Sequence, residues 1–235
     1  MSTYLDILSS LKQRKFKPIY FLHGTEPFFI DQISDYLENN VLDESEKAFN
    51  LTILYGRDTE IGQILETVKR FPMMSEYQLV IIKEAQDLKK IEELEGYFNN
   101  PLSSTILVIC HKYKNADKRK KYLKAALKSG VVFESSKLYE NAIPKWIQDY
   151  VHAKGLKIAP KSTILLSEFL GNDLQKISNE IEKLEIILGR GATITPESIE
   201  DNIGISKDFN NFELQKALSI KDTFKAFQIV TYFAN

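Results

Sequence analysis

Ile19-Tyr20-Phe21-Leu22-His23-Gly24-Thr25-Glu26-Pro27-Phe28-Phe29-Ile30-Asp31 decides the fold. A short apolar run reads as a buried strand, and it passes through a glycine-containing turn into a helix. Outward from this unit, from Pro18 to Phe133, apolar runs of strand length alternate with amphipathic stretches of helical length. That alternation is the signature of a parallel sheet flanked by helices, an α/β domain. Strands are expected at Ile19 to Leu22, Phe49 to Tyr55, Gln78 to Ile82, Thr105 to Cys110 and Val131 to Glu134. Between them, Ile61, Ile64, Leu65 and Val68 fall at i, i+3, i+4 and i+7 and form one apolar helical stripe.

After about Leu138 the strand-like runs stop, which predicts a second, all-helical domain. Its clearest helix is Asn172 to Leu188, with Leu174, Ile177, Ile181, Leu184 and Ile187 along one side and Gly189 and Gly191 as stop signals. Thr195-Pro196 reads as an N-cap followed by proline at the first helical position. At the other end of the chain, Met1 to Leu11 spaces Tyr4, Leu5, Ile7, Leu8 and Leu11 as an amphipathic helix without the features of a signal peptide. Asn211 to Asn235 reads as two helices, with Phe212, Leu214 and Leu218 in one and Phe224, Phe227, Val230 and Phe233 in the other. Either these pack back on the second domain or the chain is a fragment whose third domain begins here; the abrupt end at Ala234-Asn235 favours the fragment.

The 235 residues, 43% hydrophobic and 27% charged with a net charge of −1, describe a globular protein with no overall charge excess for nucleic acid. The single cysteine, Cys110, excludes an intrachain disulfide and a cysteine zinc cluster, and fits a reducing, cytoplasmic setting. No apolar run reaches the roughly 18–20 residues of a membrane span, so no membrane partner is expected.

The turn after the first strand is where G-x-x-x-x-G-K-[ST] would bind phosphate. Counting from Gly24, Phe29 stands at the second glycine, Ile30 at the lysine and Asp31 at the Ser/Thr. Neither Ile30 nor Asp31 supplies the charge or the hydroxyl that nucleotide and magnesium require, and Pro27 removes a backbone N–H from the loop. Leu79-Val80-Ile81-Ile82-Lys83-Glu84 resembles a magnesium-binding strand that ends in Asp-Glu, with Lys83 in place of the aspartate. Catalysis, nucleotide cofactor and metal are therefore not expected.

The chain resembles the delta subunit of the bacterial DNA polymerase III clamp loader over essentially its whole length. The resemblance is carried by Ile19 to Pro27, by Phe71-Pro72-Met73-Met74-Ser75-Glu76-Tyr77 running into Gln78 to Ile82, by Asp117-Lys118-Arg119-Lys120-Lys121, and by Gly171-Asn172-Asp173-Leu174 leading to Glu180-Ile181-Glu182-Lys183-Leu184. It implies an AAA+-like (RecA-type) P-loop domain over 1–138 without working nucleotide motifs, a helical lid over 139–207, and the first helices of a truncated collar domain over 208–235. It also implies a non-catalytic subunit of a DNA-directed DNA polymerase holoenzyme that acts in DNA replication. Such a subunit binds the sliding clamp (beta) and opens its ring without hydrolysing ATP, beside other clamp-loader subunits in the full-length protein.

By position, the two adjacent apolar residues with which that family grips the clamp correspond to Met73 and Met74, flanked by Phe71 and Pro72. An apolar cluster in a loop needs something to cover it, and methionine suits insertion into a partner's pocket. The competing reading folds Phe71 and the methionines under the loop as a satellite core.

Between Lys112 and Lys128 eight basic residues face one acid, Asp117. Lys118, Arg119, Lys120 and Lys121 are candidate contacts to primed DNA or to a neighbouring subunit. The other reading is a solvated helix face with Tyr122, Leu123, Ala126 and Leu127 buried behind it. A DNA-binding module acting through 112–128 and a divergent ATPase are the alternative functions. Trp146, with Ile143, Ile147, Tyr150 and Val151, reads as lid core, and the scattered His23, His111 and His152 lack ligand spacing.

Overall fold

Successive side chains of a strand point to opposite faces, so an uninterrupted apolar run must be covered on both sides. The structure, a computed structural model, describes residues 3–204 and 209–234 and meets this requirement with one sheet between two helical layers. The strands are β1 (Ile19–Gly24), β2 (Leu51–Tyr55), β3 (Gln78–Lys83), β4 (Thr105–Lys112) and β5 (Val131–Ser135). All pair in parallel in the order β2-β3-β4-β1-β5, with Phe21 opposite Ile109 of β4 and Val132 of β5. The helices of this unit are α1 (Tyr4–Lys12), α2 (Pro27–Asn40), α3 (Glu44–Asn50), α4 (Ile61–Val68), α5 (Glu95–Asn99) and α6 (Lys121–Ser129).

Phe21, Val80, Ile82, Leu107 and Ile109 pack on one face with Ile64 and Val68 of α4, Phe98 of α5 and Leu123 of α6. Tyr20, Leu22, Leu79, Ile81 and Val108 pack on the other with Ile7 and Leu11 of α1 and Ile30, Ile33 and Leu37 of α2. The α/β fold with a parallel sheet expected from the sequence is present. One strand is shorter than expected. Phe49 and Asn50 finish α3, and β2 starts at Leu51. The cause is local: the Glu46 carboxylate accepts from the Asp43 N–H at 2.9 Å, a capping interaction that starts a helix here.

The chain divides into two compact units, Met1–Lys137 and Leu138–Asn235. The second contains α7 (Ile143–Ala153), α8 (Pro160–Leu170), α9 (Leu174–Leu188), α10 (Pro196–Ile203), α11 (Asn211–Ser219) and α12 (Thr223–Ala234). Contrary to the all-helical expectation, two-residue strands β6 (Lys157–Ile158) and β7 (Thr193–Ile194) pair in parallel. Thr195 caps α10 by accepting the Ser198 N–H at 3.3 Å, and Asp173 caps α9 by accepting the Lys176 N–H at 3.1 Å. Leu174, Ile177, Ile181 and Leu184 are buried as the stripe requires, but Ile187 in the last turn of α9 is half exposed. Ile143, Ile147 and Val151 are core, whereas Trp146 is only half-buried and stacks on Tyr150. On α11 and α12, Leu218, Phe224, Phe227 and Val230 are exposed. Met1, Ser2, residues 205–208, which include the expected lid–collar boundary, and Asn235 lie outside the described residues.

Candidate functional site

In an open parallel sheet, ligands bind beyond the carboxyl ends of the strands where the strand order reverses. Here the reversal falls beside β1, which lies between β4 and β5. The turn after β1 is drawn against β5. A Cβ on Gly24 would lie 1.9 Å from the Ser135 carbonyl oxygen, so only glycine fits. The Glu26 N–H donates to that same carbonyl at 3.2 Å, and the Ser135 hydroxyl donates to the Glu26 carbonyl at 2.6 Å. The Glu26 carboxylate, nearly buried, accepts from the Phe28 N–H at 3.1 Å. A carboxylate of the chain itself thus occupies the start of α2, where exposed N–H groups and the helix dipole would attract a phosphate.

Of the other residues at which the sequence expects lapsed nucleotide chemistry, Asp31, Lys83 and Glu84 are engaged in ion pairs. Lys112, at the end of β4, places Nζ 2.6 Å from Asp31 Oδ1 and 3.4 Å from Glu84 Oε1, with only 11% of its side chain exposed. Lys83 pairs with Glu38 of α2 at 3.2 Å. Burial alone pulls the Lys112 ammonium down, but the Asp31 hydrogen bond and the Asp31 and Glu84 charges outweigh it and hold the pKa above the usual lysine value. Ile30, at the lysine position, is fully buried in the core, and Phe29 packs on Tyr4 with ring centroids 4.9 Å apart. Lys112 therefore does not belong to the solvated basic face in which sequence spacing placed it.

The second feature is the loop between α4 and β3. Phe71 is 75% exposed, Met73 60% and Met74 fully exposed, so the satellite-core packing does not occur; Pro72 is half-buried. The backbone of this loop is fastened. Asn50, 1% exposed, accepts the Met73 N–H at 2.7 Å through Oδ1 and donates through Nδ2 to the Met73 carbonyl at 2.9 Å. Below the loop, Gln78 Nε2 donates to the Thr67 carbonyl at 2.8 Å and the Tyr97 hydroxyl to the Val68 carbonyl at 3.3 Å. Met74 adopts the left-handed conformation with φ of 54°. Sequence reading missed Asn50 because an asparagine 23 residues from its partner carries no local signal.

Lys118 to Lys120 lie in the loop before α6, and Lys121, Lys124 and Lys128 lie on the helix. Lys118 pairs with Glu134, and Arg119 forms two bonds of 3.0 Å to Asp117. Lys120, Lys121, Lys124 and Lys128 are exposed. Behind them Tyr122, Leu123, Ala125 and Ala126 are buried, while Leu127, expected among them, is half exposed.

His23 is fully buried, with Nδ1 accepting the Ala116 N–H at 3.2 Å; burial lowers its pKa to about 4, although the Glu134 charge opposes the shift. Cys110 is buried and its thiol is pushed up to about 12 by burial. Among the described residues no group of three or more His, Cys, Asp or Glu is placed to hold a metal ion, and no helix is long and apolar enough to cross a membrane.

Residues 20–136 match the family model described as DNA polymerase III, delta subunit. DNA polymerase III subunit delta of Bacillus subtilis (strain 168) is 27% identical over 219 residues, covering 89% of this chain and 63% of that protein. The probable DNA polymerase III subunit delta of Aquifex aeolicus (strain VF5) is 21% identical over 224 residues, covering 90% and 62%. The chain thus spans less than two thirds of the length of these relatives. Among solved structures, the Bacillus subtilis DNA clamp loader delta protein (YqeN) superimposes with a TM-score of 0.74 at 23% identity, covering 99% of this chain and 71% of that one, which shows a shared fold.

Proposed function

Because the chain belongs to the DNA polymerase III delta subunit family, we propose that it grips the sliding clamp of a replicative polymerase through Met73 and Met74 and opens its ring without hydrolysing ATP. The observation that carries this reading is the loop itself: three large apolar side chains, Phe71, Met73 and Met74, stand in solvent on a backbone fastened by a buried asparagine. Exposed apolar groups on a fixed frame are what an anchor for a partner's pocket requires. Opening then follows from differential affinity. The wedge favours an open or strained ring only to the extent that it binds that form more tightly than the closed one.

The filled crevice supports the non-ATPase part of the proposal. Glu26 stands where a phosphate would dock, and Lys112 joins Asp31 to Glu84 where magnesium would be held. ATP then acts on sibling subunits of the loader. In this reading 1–138 is the clamp-gripping domain, 139–207 the lid and 208–235 the opening of the collar that joins those siblings. Exposed Lys120, Lys121, Lys124 and Lys128 offer primed DNA a salt-sensitive phosphate contact of secondary importance.

The test is clamp release. Clamp rings loaded on closed circular DNA are mixed with the chain in the absence of ATP, and DNA-bound clamp is measured. The proposal expects rings to be released by the wild type and retained with the Met73→Ala/Met74→Ala variant. Rings retained with saturating wild type would contradict ring opening.

A further inference from the structure

We propose that Asn50 is a positioning residue that holds the Met73-Met74 loop in the conformation the clamp receives, an inference that rests on the clamp-binding reading above. Asn50 lies at the end of α3, immediately before the edge strand β2, and is almost completely buried. Both ends of its amide are engaged: Nδ2 donates to the Glu46 carbonyl at 3.1 Å and to the Met73 carbonyl at 2.9 Å, while Oδ1 accepts the Met73 N–H at 2.7 Å. The partners dictate this orientation, since the flipped amide would set donor against donor and acceptor against acceptor.

Both long-range bonds go to the main chain of Met73, so the clasp fixes the backbone and leaves the side chain 60% exposed. The next residue, Met74, sits at φ 54°, a conformation that a non-glycine residue keeps only where its surroundings enforce it. The stems of the loop are tied separately, by Gln78 to Thr67 and by Tyr97 to Val68. Those bonds close the base; the Asn50 bonds hold the tip. A tip already ordered before contact avoids the ordering cost on binding, and apparent affinity scales with the fraction of molecules in the competent form.

The experiment compares wild type with Asn50→Ala and Asn50→Asp, each also in a Met74→Ala background. Clamp affinity is measured with the isolated polymerase III sliding clamp as probe. Amide hydrogen exchange is followed over residues 69–77, and a urea midpoint checks folding. We expect Asn50→Ala to bind clamp roughly five- to thirty-fold more weakly and to lose exchange protection at Met73. Asn50→Asp, which keeps the acceptor for the Met73 N–H, falls between the two. The loss shrinks in the Met74→Ala background, where the positioned side chain is absent, whereas a merely structural role lowers the urea midpoint without this coupling. Clamp affinity unchanged in Asn50→Ala, or an equal loss in both backgrounds, overturns the positioning role and leaves the clamp reading standing. If wild type does not bind clamp, that reading fails on its own, and the exchange arm judges the clasp: unchanged protection in Asn50→Ala overturns it and lost protection sustains it. If Asn50→Ala does not fold, Asn50→Asp decides by the same readouts.

Discussion

Replacing Lys112 by methionine keeps most of the stem but removes the ammonium that joins Asp31 to Glu84. Two carboxylates are then left facing each other's charge at the switch point of the sheet, from contacts of 2.6 and 3.4 Å. Breaking a fully buried pair costs about 3–5 kcal/mol, whereas a fully exposed pair is worth about 0–1 kcal/mol. Here the lysine is 11% exposed but each carboxylate side chain is 35% exposed, so water relieves part of the loss. An intermediate cost of about 2 kcal/mol follows. Asp31→Asn in the Lys112→Met background should cost less than it does alone, with a coupling of about 1 kcal/mol or more. The assay is urea unfolding followed by hydrogen exchange at β1 and β4, because a whole-chain signal mixes the two units. Strict additivity of the two substitutions would refute the claim that Lys112 and Asp31 fill the crevice together.

The pH dependence of the first unit should carry the signature of His23. Its folded pKa of about 4 lies below the ordinary 6.5, so in the window between them the unfolded chain binds the proton and the folded one does not. Stability from this source is complete above pH 6.5 and is lost as pH falls toward 4. The loss is about 3 kcal/mol, and His111, lowered in the same direction by burial, adds to it. Urea midpoints at pH 7 and 4.5 should therefore differ less in His23→Gln than in wild type, and equal differences would contradict the assignment. Millimolar Mg·ATP should leave the thermal midpoint in place. A ligand at about 100 times its Kd would stabilise the chain by about 2.7 kcal/mol, and a shift of that size would show the crevice to be open.

The sheet was legible because its strands are buried on both faces and read as unbroken apolar runs, as at Leu79 to Ile82 and Ile106 to Cys110. Phe49 stands two residues before Leu51, a spacing that mimics a strand, although Asp43 and Glu46 already mark a helix start. β6 and β7, two residues each, are too short for periodicity to show. The lapse at Ile30, Asp31 and Lys83 was visible as missing chemistry, but what replaces it was not. Lys112 falls in a run of surface lysines, and spacing along the chain does not reveal that the end of β4 faces α2 and the end of β3. The apolar Met73-Met74 loop was visible for what it contains; the asparagine that holds it was not, because its contact is made only when α3 and the loop meet in the fold.

Calorimetric titration of the sliding clamp with wild type and with Met73→Ala/Met74→Ala tests the central claim most directly. With the loop frame intact in both proteins, the variant should lose about 2–4 kcal/mol of binding free energy. Equal affinity of the two proteins for the clamp would contradict the assignment of Met73 and Met74 as the wedge.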